Sequence, residues 1–491
     1  MRLSKSRFMA GWQCLKRLYL QIHQPELAAE TEEATRAIID QGAEVGRLAR
    51  KAFLGGALVE ADHLELDKAI AQTSQLVADS KVAAIFEATF SHADVLVRVD
   101  ILQRLPENNR WKLIEVKSTT SVKDHHSLDV AIQRFVLEGL GFQVVPCLMH
   151  LNRDYLYDGR RYELEKLFTI EDLTEETDML RKDLPTLVRE QFEMLGKDEA
   201  PEVEPGAQCE APIRCEFFDA CNKPLPDDHV TMLPRLSATR RIRLTELGVT
   251  SIRDIPSGFP LTEAQKHACE CVRSGQPWFG KGLNKALGEL ECPLYFMDFE
   301  TLGLAIPRFA GMRPYDPIPF QWSVHLQEKP GTELENYEFL APDASDPRPA
   351  FLKELCEVLG KKGKIVVYNQ GFESNVLGYL AQWIPGYESA VKNIQGRLWD
   401  LLPVIRSQTY HAKFQGSYSL KSVLPALVPG MTYEDMDVAD GEQAGVVWET
   451  MIHGGLDESE KNKAKDALLA YCRQDTLGMA KLLHVLREHA A

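Results

Sequence analysis

Three groups of residues in this chain have types and spacings that can do chemistry. Asp100 stands in VRVDILQ, and Glu115 and Lys117 stand in KLIEVKS. Residues two apart on a strand leave the same face, so Glu115 and Lys117 project together. If the two segments pair as a hairpin, an aspartate, a glutamate and a lysine meet at one point. Two carboxylates so placed can hold a hard divalent cation through oxygen. A lysine beside them can orient a water or offset charge developing on a phosphate. The second group is C-terminal. Asp298 and Glu300 are two apart in PLYFMDFET, and Tyr471 and Asp475 are four apart in YCRQD. The latter pair are neighbours on one helix face. Carboxylates that converge repel each other and need a cation. The third group is sulfur: Cys14 near the start, and Cys209, Cys215 and Cys221 in CEAPIRCEFFDAC. Four soft thiolates in a reducing compartment fit an iron–sulphur cluster or zinc.

The elements that must position these residues follow from the hydrophobic pattern. Residues 95–103 and 111–117 alternate apolar and polar, which predicts two strands joined by a polar turn. A strand over 83–90 precedes them and carries Glu87 within reach of the same point. SLDVAIQRFVLEGLGF predicts an amphipathic helix ending at a glycine, with Gln133 on it. QVVPCLMHLN predicts a buried strand. One helix is expected over 3–23, around Trp12, Cys14 and Tyr19, and others over 30–53 and 62–80. Residues 224–260 are basic in an otherwise acidic chain, with Arg235, Arg240, Arg241, Arg243 and Arg253. From Pro293 the pattern is strand-rich again. PLYFMDFET, FQWSVHLQ and ENYEFL predict a three-strand meander. A helix and the strand KIVVYNQGF come next, then a helix with Glu373 in its first turn. GRLWDLLPVIR holds Asp400, SYSLKSVLPAL predicts a helix, and a long amphipathic helix closes the chain. The expected fold class is mixed α/β, with an N-terminal domain over 1–223, a small helical linker over 224–290 and a C-terminal domain over 291–491.

The first site resembles that of the PD-(D/E)xK nucleases, on the residues Asp100, Glu115 and Lys117. The segments CLKRLYL and GAEVGRLARKAF extend the likeness to RecB-like nucleases that carry an iron–sulphur cluster. The resemblance implies a restriction-endonuclease-like fold in which Asp100 and Glu115 bind metal and Lys117 assists. It implies that Gln133 contacts substrate or supports the metal site. It also implies a [4Fe-4S] cluster on Cys14, Cys209, Cys215 and Cys221, rather than zinc, stapling the two ends of the domain. This chain departs from the family pattern in three places. Gly46 stands where many members have a metal-binding histidine, Leu137 stands where a tyrosine is usual, and the gap before Cys215 is five residues rather than two.

The C-terminal part resembles the DnaQ-like, or DEDD, exonucleases of the RNase H fold. DFET matches their first motif, NQGFE their second and YCRQD their third, in that order. The resemblance implies a 3′–5′ exonuclease with Asp298, Glu300, Glu373, Asp400 and Asp475 around Mg2+ or Mn2+, and Tyr471 orienting the attacking water. Glu373 departs from the usual aspartate. LTELGVTSIRDIP is similar to a helix-hairpin-helix, whose glycine turn exposes backbone N–H groups to a phosphate. It makes Arg240, Arg241 and Arg243 candidate nucleic-acid contacts. Together the resemblances imply a bacterial fusion of two nucleases acting on nucleic acid, DNA first, in repair, processing or defence. A nucleic-acid-binding or scaffold protein with degenerate sites is the alternative.

Bulk properties bound these readings. A chain of 491 residues is long enough for two to four domains. Its net charge of −16 provides no global field for nucleic acid, so phosphate binding must come from metals or local basic patches. No apolar run approaches the ~20 residues of a membrane span. The basic N-terminus lacks a continuous apolar core and a cleavage site, and is expected to be mature structure. Ten cysteines without a secretory signal point to a reducing, cytoplasmic setting.

Overall fold

The computed structural model describes residues 2–61, 64–106, 110–222 and 224–490. It is mixed α/β and divides into two units: Met1–Lys223 with Gly303–Asp316, and Pro224–Leu302 with Pro317–Ala491. The expected polar turn after Pro106 includes residues 107–109, which lie outside the described residues, as does the expected boundary residue Lys223.

The first unit is built on a curled seven-stranded sheet. Its strands are β1 (Leu3–Ser4), β2 (Gly56–Leu58), β3 (Ala84–His92), β4 (Val95–Arg104), β5 (Arg110–Val116), β6 (Gln143–Leu151) and β7 (Phe168–Asp172). The order is β2-β3-β4-β5-β6-β7, with β1 pairing β4. Its principal helices are α1 (Lys5–Gln13), α2 (Leu15–His23), α3 (Glu33–Arg50), α4 (Leu66–Ala78) and α5 (Asp124–Gly139). β3, β4 and β5 are successive antiparallel neighbours, whereas β5 and β6 are parallel. A parallel step needs a crossover, and α5 makes it.

Both faces of this sheet are covered. Val97, Val99, Leu102 and Leu113 pack on one side with Ile132 of α5 and Phe8 of α1. Ile101, Ile114 and Met149 pack on the other with Val45 of α3 and with Ala305 and Ile306. Each such fully buried side chain contributes roughly 1.5–3 kcal/mol. The simple alternation of β4 therefore breaks at Asp100: Val99 faces the α5 side and Ile101 the α3 side. On β3, Glu87 adopts φ +57°, and pairing jumps from Phe86↔Ile101 to Ala88↔Val99. Both strands turn over together at this place. A left-handed non-glycine residue inside a strand costs on the order of 1–3 kcal/mol and marks a spot held by its surroundings.

Two sequence expectations are corrected in the first unit. The single helix expected over 3–23 is broken at Cys14, whose backbone is extended at φ −162°, ψ 118° between α1 and α2. Residues 303–316, expected in the C-terminal domain, belong to the first unit. Ala305 N donates to Gln41 Oε1 at 3.0 Å, and Tyr157 N to Met312 O at 2.9 Å. Burial of Ala305 and Ile306 in the α3-side core accounts for this placement.

The second unit carries a five-stranded sheet in the order β11-β10-β9-β12-β13. A short β8 (Trp278–Phe279) precedes it; the sheet comprises β9 (Leu294–Gly303), β10 (Pro317–Gln327), β11 (Glu335–Leu340), β12 (Lys364–Val367) and β13 (Leu398–Asp400). A short β14 (Thr409–Tyr410) pairs β8. β10 and β11 are antiparallel, while β12 runs parallel to both β9 and β13. Helix Glu458–Ala490 packs on β10, and Phe320 of β10 stacks on Trp448 with centroids 4.7 Å apart.

Residues 224–290 are not a separate linker. They are part of the second unit because they bury Leu244, Ile252, Ala268 and Cys269. Cys271 Sγ reaches Tyr410 O at 3.5 Å. Nor is the expected helix-hairpin-helix complete. Helix Ala238–Glu246 reaches Gly248 at φ +68°, but the next element is the single 3-10 turn Ile252–Asp254, ahead of helix Glu263–Ser274. Among the described residues no helix is long and apolar enough to cross a membrane.

Candidate active sites

In the first unit, the β4–β5 ladder runs from Arg104↔Trp111 to Ile101↔Ile114. Beyond it the strands part, and Asp100 Oδ2 accepts from Val116 N at 2.7 Å. The carboxylate of Asp100 thus fills the fork between the strands. Glu115, only 2% exposed, accepts from Lys117 Nζ at 2.7 Å on Oε1 and from Gln133 Nε2 at 2.7 Å on Oε2. Asp100, Glu115, Lys117 and Gln133 are therefore gathered by β4, β5 and α5. Burial, then the charge of Glu115, pushes Asp100 up to about 7.

Two members of this group escaped sequence reasoning. Asp129 lies one turn before Gln133 on α5, and its carboxylate accepts from Lys117 Nζ at 2.6 Å and Gln133 Nε2 at 3.2 Å. The i,i+4 spacing of Asp129 and Gln133 was a usable signal. Lys5, at the start of α1, donates to Glu115 Oε1 at 2.6 Å and sits 3.1 Å from Asp129 Oδ1. No local pattern ties Lys5 to a strand 110 residues away. Burial alone would lower Lys5, but Asp129 and then Glu115 hold it above its ordinary value, firmly protonated. Burial likewise disfavours charge on Asp129, yet Lys5 and Lys117 hold it below the usual carboxylate range.

Glu87 is at the same place but engaged: Arg50 donates to Oε1, and Arg98 Nε lies 2.8 Å from Oε2. Beside it an open cavity of about 410 Å³ is lined by Gly46, Arg47, Arg50, Glu87, Asp100 and Val116, among others. A Cβ added at Gly46 would meet nothing within 4 Å. Among the described residues, none occupies the space a side chain at Gly46 would first enter.

The four candidate cluster cysteines, Cys14, Cys209, Cys215 and Cys221, line one pocket in the first unit, beside Lys16 and Arg17. The extended backbone at Cys14 interrupts the helix there. Polar contacts tie the same two chain segments together. Gln13 Nε2 donates to Gln208 O and Ile213 O, both at 2.6 Å, and Arg17 Nη2 lies 2.9 Å from Glu216 Oε2. The donor set, four thiols from both ends of the unit with two cations beside them, fits an anionic thiolate-bound metal group.

In the second unit, β9 delivers Asp298 and Glu300, and helix Glu458–Ala490 delivers Tyr471 and Asp475. One oxygen each of Asp298 and Glu300 and the Sγ of Cys472 lie within 4.8 Å of one another. Burial, then repulsion from Asp475, raises Asp298 well above the usual carboxylate range. Burial, then Asp298 and Asp475, does the same to Glu300. Burial pushes Asp475 up to about 6, against the pull of a hydrogen bond from Tyr433. Glu373, from the first turn of helix Gln370–Trp383, is 1% exposed and is raised by burial and then by Asp298. Among the described residues its Oε2 has no hydrogen-bond partner. Tyr471 is buried, with Lys421 Nζ 5.6 Å from its ring centroid. Lys421 also draws Glu300 and Asp475 downward, so it is a cation facing the cluster.

Asp400, expected as a ligand, is engaged by backbone: Oδ1 accepts from Asn369 N and Leu402 N, both at 3.0 Å, and Oδ2 accepts from Gln370 N at 3.1 Å. It caps the starts of two helices, where exposed N–H groups favour an acceptor. Tyr433, Lys421 and Cys472 were missed. Lys421 stands in SYSLKSVLPAL, but nothing in the sequence aims it. Among the candidate arginines, Arg240 Nε donates to Pro260 O at 2.8 Å, and Arg243 lies 5.8 Å over the Phe259 ring. Arg241 and Arg243 are exposed.

A family model described as a domain of unknown function, DUF2779, matches residues 295–419. That span holds Asp298, Glu300, Glu373 and Asp400, and stops short of Lys421, Tyr433, Tyr471 and Asp475. No curated protein and no solved structure matches the chain.

Proposed function

We propose that this chain is a divalent-metal-dependent nuclease with two hydrolytic sites, one RecB-like in the first unit and one DnaQ-like 3′–5′ exonuclease site in the second. The observation that carries the reading is the second-unit cluster. Asp298, Glu300, Glu373 and Asp475 come from one strand and two helices; burial raises all four, and repulsion from neighbouring carboxylates adds to it for Asp298, Glu300 and Glu373. Such a cluster is costly without a cation. The strand order β11-β10-β9-β12-β13, with β10 and β11 antiparallel and β12 parallel to both β9 and β13, supports the RNase-H-like assignment. In the first unit, α3, three antiparallel strands, crossover α5 and parallel β6 support the restriction-endonuclease-like assignment.

A divalent cation in such a site lowers the pKa of a bound water and neutralises charge on a phosphoryl group. Asp298, Glu300 and Asp475 would hold it in the second unit, with Glu373 as a fourth carboxylate of longer reach. Tyr471 would orient the attacking water, and Tyr433 fixes Asp475 by a hydrogen bond to Oδ1. In the first unit Asp100 and Glu115 would hold the cation, Lys117 would meet charge developing on the phosphate, and Gln133 fixes the Glu115 carboxylate. The four thiols fit an iron–sulphur cluster, with zinc as the other candidate. Either group would join the α1–α2 segment to residues 203–221 and stabilise the fold.

The test is degradation of single- and double-stranded DNA and RNA with and without Mg2+, including a circular single strand that offers no ends. Asp298→Asn should abolish release of mononucleotides from linear strands. Glu115→Gln should leave that release intact and remove any cutting of the circle. Metal-dependent binding with no hydrolysis of any substrate would replace this reading with that of a nucleic-acid-binding protein.

A further inference from the structure

Lys5 opens α1, and the N-terminus of a helix is an unfavourable place for an ammonium group, because the free N–H groups already make it positive. The start of α1 is fixed without it. Ser4 Oγ accepts from Arg7 N at 3.3 Å, and Leu3 and Ser4 pair with Val95 and Leu96 of β4. Phe8 anchors the helix in the core. This frame carries the Lys5 side chain onto the α5 side of the sheet, 2.6 Å from Glu115 Oε1 and 3.1 Å from Asp129 Oδ1. Oε1 of Glu115 thus receives two ammonium groups, from Lys5 and Lys117, and Oε2 receives Gln133. Every oxygen of Glu115 is engaged within the chain. Lys117 extends from the same strand as Glu115, whereas Lys5 arrives on a separate element.

Two ammonium groups already sit on Glu115 Oε1, one of them carried in by a separate element. A divalent cation that binds this carboxylate meets their positive charge at close range. We propose that Lys5 is a tethered cation that occupies the metal position at Glu115, steadied there by Asp129, and must withdraw when a divalent ion binds. The N-terminal site is then self-blocked at low metal concentration. This inference rests on the reading of Glu115 as a metal carboxylate. A unit charge a few ångströms from a divalent ion is a large repulsion even at the effective dielectric of a protein surface, so removing it should tighten metal binding roughly tenfold or more.

The test uses the full chain with the second-unit cluster silenced by Asp298→Asn and Asp475→Asn. Binding of Mn2+ is followed by the paramagnetic resonance of the free ion. Lys5→Met should bind Mn2+ roughly tenfold tighter than the parent, while Lys5→Arg, which keeps the charge, should stay near the parent. If Lys5→Met does not fold, Lys5→Gln removes the charge and keeps a polar side chain, with the same expectation. Equal or weaker Mn2+ binding in the neutral variants overturns the proposal. If Glu115→Gln abolishes Mn2+ binding but Lys5 substitutions leave it unchanged, the tethered cation alone is rejected. If no Mn2+ binds in the parent or in any Lys5 variant, the reading of Glu115 as a ligand falls as well.

Discussion

Tyr433 donates its phenolic hydrogen to Asp475 Oδ1, linking a loop to the last helix across 42 residues. That bond favours the charged form of Asp475, while burial opposes it. Tyr433→Phe should therefore weaken metal binding at the second site. A hydrogen bond to a charged group contributes about 1.5–3 kcal/mol, so the Mg2+ concentration for half-maximal exonuclease activity should rise roughly ten- to hundredfold. An unchanged Mg2+ requirement would show that Tyr433 does not act through Asp475.

Asp400 and Asp298 should separate cleanly. Asp400→Ala removes caps from two helix starts, at a cost of about 1–2 kcal/mol each, so its thermal midpoint should drop. Its metal requirement should stay close to that of wild type. Asp298→Ala should abolish metal-dependent release of mononucleotides while leaving the fold intact. Loss of metal binding in a folded Asp400 variant would restore it as a ligand.

The metal-free chain should lose stability as pH rises through the near-acid range. Asp100 titrates at about 7 and Asp475 at about 6 in the folded chain, against 3.8 for an unperturbed group. The unfolded chain then binds fewer protons in this window, and stability falls with pH. These two groups contribute in full below about pH 4, and their contribution is lost as pH passes the folded values. Asp129, held low by its two lysines despite burial, acts in the opposite sense only below that window. Melting in a chelator should therefore be lower at pH 8 than at pH 5, with Mg2+ restoring more at pH 8. A metal-free midpoint that rises across the same range contradicts the assignment.

Gly46 sits inside α3 with open space where a side chain would go. Gly46→His should stabilise the helix by about 0.3–0.5 kcal/mol, since glycine is costlier than histidine in a helix interior. It should also add a nitrogen donor beside Asp100 and lower the metal concentration needed at the first site several-fold. Unaltered metal binding with the expected gain in stability would place that cavity outside the metal's reach.

Cys215→Ser should cost stability more than hydrolysis, because the thiol pocket joins chain ends and lies on elements distinct from the acids. Protein purified without oxygen should be brown and carry iron. Stoichiometric zinc without iron would select the zinc alternative.

The sequence by itself determined the residues whose relation is local. Glu115 and Lys117 share a strand face, Asp298 and Glu300 share another, and Tyr471 and Asp475 share a helix face, because the 2.0 and 3.6 periods of strand and helix fix them whatever the element packs against. The same periods marked β4, β5, α5 and β6 as elements. They could not say that Lys5 reaches Glu115, that Tyr433 holds Asp475, or that Lys421 faces the C-terminal acids. Nor could alternation foresee that β3 and β4 turn over at Glu87 and Asp100. The same limit explains Asp400, whose carboxylate is used by two helix starts brought beside it by β12 and β13. It also explains residues 303–316, whose burial against α3 overrides their position in the chain. These relations belong to the tertiary structure alone, because a contact between separate elements depends on how their apolar faces pack, and one element's pattern names its buried face but not the partner that covers it.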